Sequence, residues 1–439
     1  MKRLIATIVL FIAATSSSFS QTAWLGLWEG SLALAGGDLP FSLSIVSGGA
    51  LLDLPGAELY GYPSMSMQSG GSSIRLSFAF GGGALTLAGT EAGGRVEGSY
   101  RQGSEESTIP GTPGAEATGG AFSMIRSAMQ PEARSTFFFS ASDGAELPGT
   151  LVEPAASERA AGATPAQRLP LVILHAGLGA TNRDGNNYNV PGKNDSLRQL
   201  AGALLEHNVA SYRYDKRGSG AASWLVAREE DQSLEAWIGD LVSATKALAA
   251  TGRYSGIWLL GLNDGAVVAA AAANKLTSMD QPANGLVIAC ASSESTLEAF
   301  SKAVANSPEE HRTEGASLIA AISAGRLVPV TSEYYAAAFR PSVQPYLIEA
   351  FGRDLETELS LFTGPCLLAQ GNMDMQVTLT DFLALQAARP DALTVMPFRM
   401  NHVLKDVSQD VEENYDSFSN PGYPVSQEFV DSLVQFTTR

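Results

Sequence analysis

The chain has 439 residues, of which 45% are hydrophobic and 17% charged, and it carries a formal charge of −17 at pH 7. That length accommodates two or three domains with a large buried core. The acidic balance, with no long basic run, excludes electrostatic attachment to nucleic acid or to anionic lipid.

Residues 1–20 read as a secretory signal. Lys2 and Arg3 form the basic start, and Leu4 to Ala14 form an apolar core too short to span a bilayer. Ser18-Phe19-Ser20 supplies small residues around a cleavage point before Gln21, and no Cys lies nearby to carry a lipid. The expectation is an exported protein, periplasmic or extracellular, with no stable membrane anchor. Residues 21–126 read as a small all-β domain. Phe41, Leu43 and Ile45 alternate with serines, and Ile74, Leu76, Phe78 and Phe80 alternate with Arg75, Ser77 and Ala79. Gly-rich turns such as Gly81-Gly82-Gly83 separate these period-two runs. Trp24 and Trp28 either plug the core or line a ligand mouth, and the core is the better reading for large aromatics.

Gln102 to Gly120 and Ala155 to Gln167 are rich in Gly, Ser, Pro, Thr or Ala and read as linkers. Between them, Ser135 to Val152 suggests a hairpin turning at Asp143-Gly144. From Leu169 onward strands alternate with helices, which implies parallel βαβ units. The predicted strands are Leu169 to Leu174, Val209 to Tyr214, Ile257 to Leu260, Gly285 to Ala291, Cys366 to Gln370 and Leu393 to Phe398. The predicted helices include Leu197 to His207, Leu234 to Ala250, Ala266 to Leu276 and Glu428 to Phe436. A mostly helical stretch at about 293–361 interrupts the alternation and reads as a cap over the sheet. Residues 127–439 thus form one α/β domain with a cap insertion. Cys290 falls late in one strand and Cys366 early in the next. In parallel neighbours that puts them at opposite ends of the sheet, beyond disulfide reach, as buried free thiols.

The candidate site centres on Gly261-Leu262-Asn263-Asp264-Gly265. An apolar strand precedes it and an Ala/Val-rich helix follows. Strand, tight turn and helix with glycine on both flanks is a nucleophile elbow, which holds its central side chain clear of the sheet. The central residue is Asn263, and a carboxamide cannot act as the nucleophile a hydroxyl or thiol would be. Asp374 follows the strand Cys366 to Gln370, and His402 follows the last strand. The order elbow, acid, histidine is that of a catalytic triad, in which Asp374 would orient His402 and His402 would shuttle a proton. The loop His175-Ala176-Gly177-Leu178-Gly179 follows the first parallel strand. Its Leu178 N–H is expected to form one half of an oxyanion hole, and the N–H of Asp264 the other. His175 is expected to pack in its loop, His207 to lie on the surface, and Asp215 and Arg217 to pin a turn. His311 is placed in the cap.

Asn182-Arg183-Asp184-Gly185-Asn186, Tyr214-Asp215-Lys216-Arg217-Gly218-Ser219-Gly220, Gly371 to Val377 and Asn401-His402-Val403-Leu404-Lys405 carry a family resemblance. Leu169 to Arg439 resembles a bacterial secreted branch of the α/β-hydrolase superfamily, related to the serine-aminopeptidase-like esterases. The β-rich segment is similar, more weakly, to a domain that often precedes such hydrolases. The resemblance implies an α/β-hydrolase fold and hydrolysis of a carboxylic ester, or of a peptide, without metal or cofactor. The family's serine maps to Asn263, the one departure.

Three readings follow. The protein is a hydrolase-fold binder of an ester or acyl ligand whose turnover is impaired or lost. Alternatively it is an active hydrolase using another nucleophile or water activated by His402. A third reading, of another class, makes it a secreted ligand- or carbohydrate-binding protein that acts through its β-rich domain.

Overall fold

A computed structural model describes residues 24, 26–46, 49–54, 59–80, 83–103, 118–126, 134–154, 168–177, 179, 181–187 and 193–439. The signal-like residues 1–20 and most of both linkers lie outside this set. The chain divides into two compact units between Thr136 and Phe137, ten residues later than the boundary the sequence suggests.

The first unit is built on a nine-stranded antiparallel sheet. In chain order its strands are β1 (Gly26–Leu34), β2 (Gly37–Val46), β3 (Gly49–Leu54), β4 (Leu59–Pro63), β5 (Ser66–Gly70), β6 (Ser73–Phe80), β7 (Gly83–Ala92), β8 (Arg95–Gly103) and β9 (Thr118–Arg126). They lie in the order β4-β3-β2-β1-β9-β8-β7-β6-β5. The sheet curls enough for β3 to touch β5. Period-two alternation decides its inside: Phe41, Leu43, Ile45, Ile74, Leu76 and Phe78 are buried, and Arg75 is exposed. Trp24 and Trp28 pack into the same core, with ring centroids 5.5 Å apart, and the Trp28 indole N–H donates to the Trp24 carbonyl. Both are core residues.

The second unit carries an eight-stranded sheet. Its strands are β10 (Arg134–Ser140), β11 (Glu146–Val152), β12 (Leu169–His175), β13 (Ala210–Tyr214), β14 (Tyr254–Leu262), β15 (Gly285–Ala289), β16 (Cys366–Ala369) and β17 (Leu393–Val395). Their spatial order is β10-β11-β13-β12-β14-β15-β16-β17, and every pairing from β13 onward is parallel. A hairpin thus leads into a mostly parallel, doubly wound sheet, as the alternation of strands and helices implies. Alternate residues of one strand serve opposite faces. Leu171 and Ile173 of β12 pack with helices α2 (Leu234–Ala250) and α3 (Gly265–Ser278), whereas Val172 and Leu174 pack with α1 (Ser196–Glu206) and α10 (Gln427–Thr437). Helix α3 is apolar all round because it is buried, and its alanines 269–273 let it lie close against the strands.

Between β15 and β16 the chain builds a cap from α4 (Thr296–Ala305), α5 (Glu309–Ser323), α6 (Gln344–Phe351) and α7 (Leu355–Leu361). The cap has its own apolar cluster, including Ile322, Phe339, Leu347 and Phe351. Helices α8 (Leu379–Ala388) and α9 (Val411–Asp416) complete the unit. Two strands end earlier than their apolar runs suggest. β15 stops at Ala289 because Cys290 turns to φ 49°. β17 stops at Val395, just before Pro397, which has no N–H to give a ladder. Among the described residues no helix is long and apolar enough to cross a membrane.

Candidate active site

The elbow is set by steric necessity. A Cβ on Gly261 would lie 2.6 Å from Ala266 Cα and from the Gly265 carbonyl oxygen. A Cβ on Gly265 would lie 2.5 Å from the Ala176 carbonyl oxygen, in the loop after β12. Only glycine lets strand, turn and helix approach this closely. Asn263 sits between them at φ 52°, and its N–H donates to the Ala289 carbonyl at 2.9 Å. Asn is one of the few non-glycine residues at ease in that region. The tight turn is therefore compatible with Asn at its centre.

Asp374 and His402 meet, as their order along the chain suggests. His402 Nδ1 lies 3.0 Å from Asp374 Oδ2, and the pair is almost wholly buried. The Asp374 Oδ1 accepts the N–H groups of Gln376 and Val377 at 2.8 and 3.0 Å. Burial pushes the Asp374 carboxyl up. The His402 hydrogen bond and these two N–H groups outweigh burial and hold it below its ordinary value. With Nδ1–H donated to a carboxylate, the lone pair of His402 is on Nε2, which is buried without a partner. The His402 ring stacks on Phe418 at an interplanar angle of 11°. Its loop is tied by Asn401, whose Oδ1 accepts from Val403 and Lys405 N–H and whose Nδ2 donates to Asn414 and Ser417.

Asn263 is half-buried and borders two hollows. One is a cavity of about 190 Å³, shared with His402, Gly177 and Ser196. The other is a cleft of about 390 Å³ under the cap, bordered by Asp264, Phe300 and Tyr346. Asp264 is the N-cap of helix α3, where the first N–H groups lack partners within the helix. Its side chain faces the cap cleft. Desolvation raises its carboxyl, opposed by the charge of His402, although its surface remains exposed at the mouth. Leu178, the expected other donor, lies outside the described residues.

The remaining sequence candidates serve the frame. His175 is buried with Nδ1 3.1 Å from the Tyr214 hydroxyl, and desolvation, then the charge of Lys216, lowers it to about 3. Arg183 and Asp215 form a buried ion pair at 2.6 Å. Asp215 also accepts the N–H groups of Arg183 and Ala221, closing the loops after β12 and β13 upon each other. Arg217 binds Asp143 and Asp240. His207 is exposed at the end of α1, and His311 stacks on Tyr334 within the cap. Both cysteines are free. Burial lifts the Cys366 thiol to about 12, and burial with the charge of Asp374 holds the Cys290 thiol well above its ordinary value, which disfavours the reactive thiolate at both. Cys290, beside Asp374, and Ser196, on the wall of the cavity that Asn263 borders, carry no signal in the sequence. Among the described residues no three His, Cys, Asp or Glu side chains are grouped to hold a metal ion.

No family model matches the chain, and no curated protein matches it. Solved structures similar to it include a bromoperoxidase from Bacillus anthracis, 18% identical, covering 70% of this chain and 100% of that one, with a TM-score of 0.40. A hydrolase from Pseudomonas aeruginosa PA01 is 19% identical over 71% of this chain and 100% of that one, TM-score 0.40. Est1E from Butyrivibrio proteoclasticus is 14% identical over 69% of this chain and 99% of that one, TM-score 0.41.

Proposed function

We propose that the second unit is a scaffold of carboxylic-ester-hydrolase type that binds an ester or acyl ligand, with turnover impaired or lost because Asn263 replaces the nucleophile. One observation carries this reading: Asn263 stands at the elbow centre at φ 52° while the Asp374–His402 hydrogen bond is intact beside it. The carboxamide nitrogen is conjugated with its carbonyl and has no lone pair to give, so no acyl-enzyme can form there.

The test is hydrolysis of short and medium chromogenic esters by the parent and by Asn263→Ser. The expected result is negligible turnover by the parent and at least a hundredfold gain in the serine variant, well within the roughly 10⁶-fold that a complete triad contributes. An active parent, or an inert serine variant that is folded, overturns the proposal. A second reading has support in the unpartnered Nε2 of His402, which is positioned to draw a proton from water. It requires turnover by the parent that disappears in His402→Ala. Export rests on residues 1–20 alone, and a mature N-terminus at Gln21 in the secreted or periplasmic fraction is the check.

A further inference from the structure

The cavity on the loop side of Asn263 has an unusual lining. Its described walls include the carboxamides of Asn187, Asn194, Asn263 and Gln376 and the hydroxyls of Thr181 and Ser196. His402 and Phe418 complete one side. None of these described lining side chains is an Asp, Glu, Lys or Arg, whereas the cap cleft is bordered by Asp264, Glu294, Arg353 and Asp354. Charged groups behind this wall include the ion pairs Arg183 with Asp215 and Arg198 with Asp195, and Asp374, which is bonded to His402.

Two deeply buried polar atoms on this wall have no partner, His402 Nε2 and Ser196 Oγ. Ser196 is 1% exposed and His402 5%. Gly185, at φ 91°, packs directly against the serine, since a Cβ there would come within 2.4 Å of Oγ. Buried polar atoms in native proteins are almost always satisfied, so two orphans on one cavity wall call for a ligand that supplies the missing bonds.

We infer that this cavity binds a neutral, polyhydroxylated group, the alcohol part of a sugar or polyol ester. The reasoning is one of complementarity. A cation would need a carboxylate in the wall, and an anion would need Arg or Lys. Carboxamides and hydroxyls both donate and accept, and so do vicinal hydroxyls. With Nδ1–H given to Asp374, Nε2 of His402 accepts an O–H. The volume of about 190 Å³ corresponds to about six water molecules at liquid density, room for a single small ring. The inference rests on the ester-hydrolase reading for the acyl group only, which would reach Asn263 from this ring.

The experiment is calorimetric titration of the full chain with methyl α-glucopyranoside, its mono-acetate, ethyl acetate, sodium acetate and N-acetylalaninamide. The mono-acetate is expected to bind at least tenfold more tightly than ethyl acetate. Ser196→Ala is expected to weaken the glucoside and its acetate about threefold to tenfold, the range for one neutral hydrogen bond, without changing ethyl acetate. Saturation-transfer NMR on the unaltered protein is independent of any variant and should place the strongest transfer on the sugar ring protons. Equal affinity for ethyl acetate, preference for acetate ion or for the amide, or transfer confined to the acetyl protons overturns the inference. An inert Asn263→Ser variant that still binds the glucoside would sink the hydrolase reading and leave polyol binding standing.

Discussion

Glycine to alanine at two positions of the second unit should have opposite effects, and the contrast measures how tight the elbow is. Gly265 opens α3 with an ordinary backbone, so only space decides the outcome. The new Cβ would meet the Ala176 carbonyl oxygen at 2.5 Å, its carbon at 3.0 Å and the His175 oxygen at 3.1 Å. All three are backbone atoms at the end of β12, and no side-chain rotation relieves them. Overpacking of this kind costs about 1–3 kcal/mol. Alanine returns up to about 1 kcal/mol of helix propensity. With the full return the net loss is about 0–2 kcal/mol, or a Tm lower by up to roughly 8 °C, opposite in sign to Gly239→Ala. Gly239 lies in the middle of α2 with nothing within 4 Å of its Cβ position. There alanine should gain up to about 1 kcal/mol and raise Tm by roughly 2–4 °C. Thermal unfolding followed by circular dichroism compares the two with the parent. If Gly265→Ala were as benign as Gly239→Ala, the close approach of α3 to the β12 loop would be refuted, and with it the elbow that presents Asn263.

Three further outcomes are expected. In an Asn263→Ser background, Asp374→Asn should cut ester turnover by about 10³-fold or more, because an amide no longer fixes the His402 tautomer; unchanged kcat would remove Asp374 from the site. Arg183→Met leaves the Asp215 carboxylate buried beside only N–H donors and should cost about 3–5 kcal/mol in urea unfolding, while a loss below about 1 kcal/mol would mean the pair is wetter than described. His175 titrates at about 3 in the fold against 6.5 in an unfolded chain. Between those values the unfolded chain binds a proton and the folded one does not, so stability falls as pH drops through the window. His175→Gln should flatten that fall by up to about 1.4 kcal/mol per pH unit, read as urea midpoints at several pH values between 6.5 and 4.5.

The elbow was legible in the sequence because its causes are local. An apolar strand, glycines at 261 and 265, and a small-residue helix define it within a few residues of Asn263. The succession of Asn263, Asp374 and His402 was legible too, since each follows a strand that the sequence marks. The bounds of α2 are the same by sequence and by structure, because a Ser233 N-cap and a long periodic face mark both ends. Only the tertiary structure decided the rest. Trp24 and Trp28 turn into the β core, a choice between two faces of a strand that composition leaves open. The Asp374–His402 bond, the Arg183–Asp215 pair that holds two loops together and the place of Cys290 beside the acid each join segments far apart in the chain. The neutral lining beside Asn263 arises the same way, from Ser196 on α1, Gln376 after β16 and Phe418 after α9. Periodicity and turn chemistry encode what a residue does to its neighbours in sequence. Which distant side chains share a cavity, and which of their polar atoms are left without a partner, is fixed by packing alone.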